Sequence, residues 1–141
     1  MFINYVGHGG ETGWAHERVL NVPMINAWNN ADNLTTILSA TCEFCRFDDA
    51  TRISAGEYAY LNPKGGAISL FTTTRSVYYN VNDEVLESFY PIVFEENSNG
   101  EIRTMGELLM DTEKNISSTS NNKRRFTLIG EPAWRFTAPE N

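Results

Sequence analysis

The fold is decided by Leu34-Thr35-Thr36-Ile37-Leu38-Ser39-Ala40-Thr41, which Cys42 follows directly. This run is apolar or β-prone and carries no charge, so it predicts a strand buried on both faces of a sheet. Residues 1–6 form a similar run and stop at Gly7-His8-Gly9-Gly10. A glycine-rich turn after a strand indicates that the chain leaves the sheet there. Two consecutive strands therefore end at a histidine and at a cysteine.

Helical segments separate the strands along the rest of the chain. We expect helices at 23–29, 54–61, 81–94 and 102–116, further strands at 67–73 and 126–129, and a loop at 11–22. Strands that alternate with helices predict an α/β fold, and apolar strands predict a mostly parallel sheet covered on both faces. The 141 residues suit one domain.

His8 and Cys42 are the candidate catalytic residues. In a parallel sheet, sites gather beyond the carboxyl ends of the strands, where both residues fall. A cysteine nucleophile reacts as its thiolate, and a histidine beside it is a suitable base. The backbone N–H groups of Gly9 and Cys42 would then donate to a developing oxyanion. Spacing alone leaves open the alternative of a core cysteine and an ordinary turn histidine.

The segment Cys42-Glu43-Phe44-Cys45 is also a C-x-x-C motif. Together with His8 and His16 it offers the ligands of a Cys₂His₂ zinc site. A redox-active cysteine pair is a further alternative. The zinc hypothesis predicts two unreactive thiols, whereas the peptidase hypothesis predicts one reactive thiol.

The composition of the chain limits the kinds of molecule that it is expected to bind. Eleven Lys and Arg against eighteen Asp and Glu give a net charge of −7, which argues against nucleic-acid binding. The cluster Lys123-Arg124-Arg125 is expected to be a solvated approach to the last strand. No apolar stretch reaches the roughly 18 residues that span a membrane, and the first residues do not resemble a signal peptide.

Asn4-Tyr5-Val6-Gly7-His8-Gly9-Gly10, followed by Ser39-Ala40-Thr41-Cys42-Glu43-Phe44, resembles the gingipain family of cysteine peptidases. That family is part of the caspase-like group, in which one strand ends in His-Gly and the next in the catalytic cysteine. The local sequence is most similar to PorU-type surface sortases of the type IX secretion system. Other similar blocks are 46–48, 54–57, 62–68, 72–75 and 127–132.

The resemblance implies a caspase-like three-layer α/β/α fold. Strands precede the histidine strand in that family, so residues 1–141 are expected to be the C-terminal portion of a catalytic domain. The residue that orients the histidine would then lie outside this chain. No cofactor is implied, although calcium in the full-length protein is left open. From the residues alone, Asp48 and Asp49 could hold a calcium ion or a basic group of the substrate, or be solvated loop carboxylates.

The resemblance also implies a role for each site residue. His8 would act as general base and then as general acid. Cys42 would form an acyl-enzyme, and the N–H groups of Gly9 and Cys42 would form the oxyanion hole. The residues expected to wall the substrate pocket are Thr73, Thr74, Arg75 and Tyr78.

A sortase of this type removes the C-terminal signal domain from cargo proteins at the cell surface or outer membrane. The implied partners are the cargo, other type IX secretion components and an amine of lipopolysaccharide as acyl acceptor. Alternatives within the same fold are a gingipain-like secreted endopeptidase without transfer activity and a non-catalytic or zinc-binding surface module.

Overall fold

The computed structural model describes residues 1–116 and 121–137. In chain order the elements are β1 (Phe2–Val6), β2 (Gly9–Gly10), β3 (Gly13–Trp14), β4 (Leu20–Asn21), α1 (Val22–Asn26), β5 (Thr35–Ala40), α2 (Ala55–Leu61), β6 (Ala67–Thr73), α3 (Tyr79–Phe89), α4 (Met105–Asn115) and β7 (Phe126–Ile129), and residues 121–124 form one 3₁₀ turn.

The main sheet has the strand order β1-β5-β6-β7. The pairs β1–β5 and β5–β6 are parallel, and β7 runs antiparallel to β6. The prediction of a mostly parallel α/β sheet is confirmed. The bounds predicted for β6 and β7 agree with the structure, and β5 is one residue shorter than predicted at each end.

Helices cover both faces of this sheet. Neighbouring residues on a strand point to opposite sides, so a continuous apolar strand presents apolar side chains to both layers of helices. On one face, Ile37 and Leu70 pack with the helices α1 and α2 through Ile25 and Ala59. The other face packs against α3 and α4, and its buried residues are Leu38, Phe71, Phe89, Met105 and Leu108. The result is three layers around a sheet interior that is largely apolar but also buries hydroxyls, among them those of Thr36 and Ser69, which are hydrogen-bonded to each other.

Capping residues set the helix starts more sharply than apolar spacing does. Thr104 accepts the Glu107 N–H and the Glu107 carboxylate accepts the Thr104 N–H, so α4 begins at Met105 rather than at residue 102. The helix predicted at 81–94 runs instead from Tyr79 to Phe89, and Pro91 prevents its continuation. In the described ranges, no helix has the length and apolar character needed to cross a membrane.

Residues 11–22 are not a simple loop, which corrects the sequence prediction. The short strands β3 and β4 lie there, and together with β2, directly before them, they form an antiparallel sheet that leads into α1. Gly13 has φ +142, and a Cβ at this position would overlap the Leu20 carbonyl oxygen. Only glycine therefore lets β3 and β4 approach this closely. Strands of two residues show no periodicity in a sequence, so this hairpin was missed.

Candidate active site

The ends of β1 and β5 lie side by side. Val6 pairs with Ala40, and the Gly7 N–H donates to the Ala40 carbonyl at 3.4 Å. Paired strands are about 4.8 Å apart. His8 and Cys42, each two residues beyond this last pair, therefore leave the sheet at the same edge.

Gly9 brings the turn that carries His8 against the residue that precedes Cys42. A Cβ built at Gly9 would lie 2.5 Å from Thr41 Oγ1 and 2.9 Å from the Gly13 carbonyl oxygen. Any side chain at position 9 would push the two loops apart. A Cβ at Gly10, by contrast, meets no atom within 4 Å.

The Cys42 sulfur is held by the loop that follows β6. The Val77 N–H donates to Sγ at 3.4 Å, and the Val77 carbonyl oxygen lies 3.6 Å from Sγ as an acceptor for the thiol proton. Below the cysteine, Asn82 Nδ2 of α3 donates to the Ala40 carbonyl at 3.0 Å. The end of β5 is thus fixed from two sides.

The backbone turns sharply at Glu43, directly after Cys42. Glu43 has φ +52, a conformation that costs energy for any residue other than glycine. Its N–H donates to the Arg75 carbonyl at 3.3 Å, whereas the Cys42 N–H has no backbone acceptor among the described residues. A free N–H at this position is available to a developing oxyanion.

The backbone of His8 is fixed while its ring is exposed. The His8 carbonyl accepts the Tyr5 hydroxyl at 2.7 Å and the Ala15 N–H at 2.8 Å. Within the described residues, no hydrogen bond joins the imidazole to the Cys42 sulfur. The structure therefore brings the two loops together without closing the dyad, as is common before substrate binds.

Glu11 connects the strands β2–β4, which follow His8, to the loop that follows Cys42. Its nearly buried carboxylate accepts Arg46 at 3.0 Å and Arg52 at 2.7 Å. Its carbonyl accepts the N–H of Ala55, the first residue of α2, at 2.7 Å. The two loops are joined by charge as well as by packing.

The two cysteines occupy different environments. Cys45 is fully buried, and burial, with the nearby charge of Glu57, raises the pKa of its thiol to about 12. A Cβ on Gly56 of α2 would lie 2.7 Å from Cys45 Cβ, so the side chain is enclosed by the helix. Cys42 is only half-buried, and both thiols are free.

The zinc hypothesis gains no support from these positions. In the ranges that the structure describes, no three His, Cys, Asp or Glu side chains are grouped to hold a metal ion. Asp48 pairs with the Arg75 guanidinium, whose hydrogen bonds hold the pKa of that carboxyl below its usual range. Asp49 accepts the N–H and hydroxyl of Thr51 at 2.9 and 2.7 Å.

The residues expected to wall the substrate pocket lie in and after β6. Thr73 is buried, and its hydroxyl donates to the Thr41 carbonyl. Thr74 is half-buried, and Arg75 is exposed and ion-paired with Asp48. Tyr78 is 65% exposed, with the Arg125 guanidinium 5.9 Å from its ring centroid. Their predicted role remains a prediction.

Arg125 is more than part of a solvated basic cluster. Its side chain donates to the Ser76 carbonyl, and its own carbonyl accepts the Thr74 N–H at 2.9 Å. The segment 74–78, which holds the Cys42 sulfur, is therefore fixed by Arg125, the residue directly before β7. The basic cluster contributes one residue to this support.

A cavity of about 650 Å³ opens beside His8. Its wall is formed entirely within residues 8–23, by the hairpin β2–β4 and the start of α1. His8 lies on this wall, and Cys42 does not.

Four positioning residues were missed by the sequence analysis: Tyr5, Glu11, Val77 and Asn82. Tyr5 lies three residues before His8 and Glu11 three residues after it. This closeness in sequence is the one feature that could have marked them as supports of the histidine turn. Val77 and Asn82 act through hydrogen bonds to residues far away in the sequence, and no local sequence pattern indicates such contacts.

Comparisons with known proteins agree with this geometry. The sequence profile of peptidase family C25 matches residues 1–137. A search of curated proteins finds no match. Among solved structures, the Arg-specific cysteine proteinase gingipain R (RgpB) superposes with a TM-score of 0.79 at 19% identity, over 94% of this chain and 32% of that one.

Two further solved structures share the fold. The complex of Porphyromonas gingivalis RgpB pro- and mature domains gives a TM-score of 0.79 at 18% identity, over 94% of this chain and 33% of that one. A structure described only as a protease gives 0.68 at 17% identity, over 95% and 35%. The chain spans about a third of each structure it matches.

Fold and site together define a caspase-like α/β protein with a cysteine and a histidine at adjacent strand ends. The chain belongs to peptidase family C25, the gingipain family of cysteine peptidases.

Proposed function

We propose that Cys42 and His8 form the catalytic dyad of a sortase-like cysteine peptidase. The observation that carries this proposal is the meeting of the two strand ends, where Gly9 packs on Thr41 immediately before Cys42. Membership of peptidase family C25 supports the reaction class.

In the proposed reaction, His8 takes the thiol proton from Cys42 and the sulfur attacks the scissile carbonyl carbon. The N–H groups of Gly9 and Cys42 donate to the oxyanion that forms. When the C–N bond breaks, His8 returns the proton to the leaving amine. Cys42 is left as a thioester, which water or an amine then cleaves.

The proposed substrate is a cargo protein that carries a C-terminal type IX secretion signal. The support is the local similarity of the His8 and Cys42 segments to PorU-type sortases. In this proposal the enzyme acts at the cell surface or outer membrane with other type IX secretion components. An amine of lipopolysaccharide takes the acyl group.

An endopeptidase without transfer activity is the second candidate, because two matched structures are of RgpB, an Arg-specific cysteine proteinase. Acceptor choice separates the two. A sortase-like enzyme should give an amide product when a primary amine competes with water, while a plain endopeptidase should give the free acid alone.

Thiol alkylation read separately at Cys42 and Cys45 tests the dyad. We expect Cys42 to react rapidly with iodoacetamide well below pH 8, and to slow by at least about tenfold in His8→Ala, because a thiolate is the reactive form. Cys45 should stay unreactive to pH 9, because burial raises the pKa of its thiol to about 12.

The unfolded chain is the control, since both thiols should react there at similar rates. If both thiols of the folded protein titrate together, the dyad proposal is wrong. If both stay silent until a chelator is added, the zinc hypothesis replaces it.

Gly9→Ala should lower the rate of peptide cleavage by about a hundredfold, because an added Cβ moves the histidine turn away from the cysteine loop. Gly10→Ala is the matched control for the histidine turn: since its Cβ meets no protein atom, it should leave the rapid alkylation of Cys42 unchanged, whereas Gly9→Ala should slow it. Circular dichroism should show both variants folded. Equal alkylation rates for the two variants would show that loop separation is unimportant.

A further inference from the structure

The cavity formed by residues 8–23 has a distinctive charge. The ionisable side chains on its wall are His8, His16 and Arg18, and no carboxylate belongs to the wall. The chain as a whole carries a net charge of −7. The cavity wall therefore carries one fixed positive charge, that of Arg18, and no carboxylate, in a protein that is acidic as a whole.

Arg18 has no ionic partner among the described residues. In the same part of the chain, five other arginines do form ion pairs: Arg46, Arg52, Arg75, Arg103 and Arg135. The acidic residue next to Arg18 in sequence, Glu17, is exposed and is not within ion-pair distance of it. An unpaired guanidinium on a cavity wall is available to a carboxylate, which it binds through two parallel hydrogen bonds.

The backbone at Arg18 is already in a fixed turn. Arg18 has φ +57, and its N–H donates to the Ala15 carbonyl at 3.2 Å. Ala15 in turn donates to the His8 carbonyl at 2.8 Å. The backbone that carries the guanidinium is therefore tied to the histidine turn.

The position of the cavity relative to the dyad identifies which half of the substrate it faces. In the proposed reaction the acyl half stays on Cys42, and His8 gives a proton to the leaving amine. His8 lies on the cavity wall and Cys42 does not. The cavity is thus on the side of the leaving group and, by reversal of the same step, of the incoming amine.

We propose that this cavity binds the leaving-group half of the substrate and that Arg18 recognises an acidic side chain on it. The inference rests on the proposed roles of His8 and Cys42. It assigns a specificity-determining residue, Arg18, to the cavity wall beside His8.

Binding of product-like peptides to the complete gene product carrying Cys42→Ala tests this proposal. The probes are H-Glu-Ala-Gly-amide and H-Gln-Ala-Gly-amide, titrated to millimolar concentration and followed by the backbone amide shifts of Gly9, Gly10 and Gly13. We expect the glutamyl peptide to bind about two- to fivefold more tightly, the range of one ion pair made by an exposed arginine such as Arg18.

In the same background, Arg18→Gln should abolish the preference and Arg18→Lys should retain part of it. Arg124→Gln is the matched control, an exposed arginine with no ionic partner in the described ranges, and it should leave the preference unchanged. Equal binding of the two peptides, binding of neither, or a preference that survives Arg18→Gln would overturn the proposal. Since the assay needs no active thiol, this outcome is independent of the alkylation test.

Discussion

Replacing His8 with alanine should lower the rate of peptide cleavage by about 10²–10⁴-fold, the range that a positioned general acid and base contributes. The substitution removes an exposed ring that makes no hydrogen bond within the described residues, so folding should be preserved. The rate is measured on an internally quenched peptide library, with Cys42→Ala as the inactive reference.

A pH profile separates a catalytic role for His8 from a structural one. A general base that has taken up a proton can no longer accept one from the thiol. The wild-type rate should therefore fall as the pH is lowered, and His8→Ala should lose this dependence. A variant that is slow but keeps the acidic limb would show that another group is the base.

Phe44→Ala should destabilise the protein by about 3–5 kcal/mol, the usual cost of removing a buried aromatic side chain. Phe44 is fully buried two residues after Cys42, and its ring lies 5.3 Å from that of Trp14. Trp14 stacks on Tyr5 at 4.5 Å, and Tyr5 holds the His8 carbonyl. One aromatic column therefore supports both loops of the site.

Urea unfolding measures this loss. Phe47→Ala is the matched control from the same loop, 55% exposed, and its free energy of unfolding should change by no more than about 0.5 kcal/mol. If Phe44→Ala does not fold, Phe44→Leu should show a smaller loss in the same direction. Equal stabilities for the Phe44 and Phe47 variants would show that the column is not a support.

The main sheet could be predicted because its strands are continuous apolar runs that leave few alternatives. The end of β5 also placed Cys42 at a sheet edge, and the glycines around His8 marked the end of β1. The antiparallel direction of β7 was not predictable from Phe126–Ile129, because a four-residue apolar run carries no sign of its direction.

The candidate site could be predicted only where it depends on strand ends. The C-x-x-C spacing does not distinguish Cys42 from Cys45. In the structure, Cys42 faces the Val77 peptide, whereas Cys45 faces the core under α2. That difference is decided by the turn at Glu43, which takes a conformation rare for a side-chain-bearing residue. Sequence spacing cannot report such a turn.

The bridge from Glu11 to Arg46 and Arg52 also bears on how this scaffold can be re-engineered. The hairpin after the histidine and the loop after the cysteine share one nearly buried carboxylate, so neither is an independent module. A graft of residues 9–21 from a relative would leave two arginines without their acceptor. Specificity loops should therefore be exchanged in pairs, with residues 43–53 moving together with the hairpin.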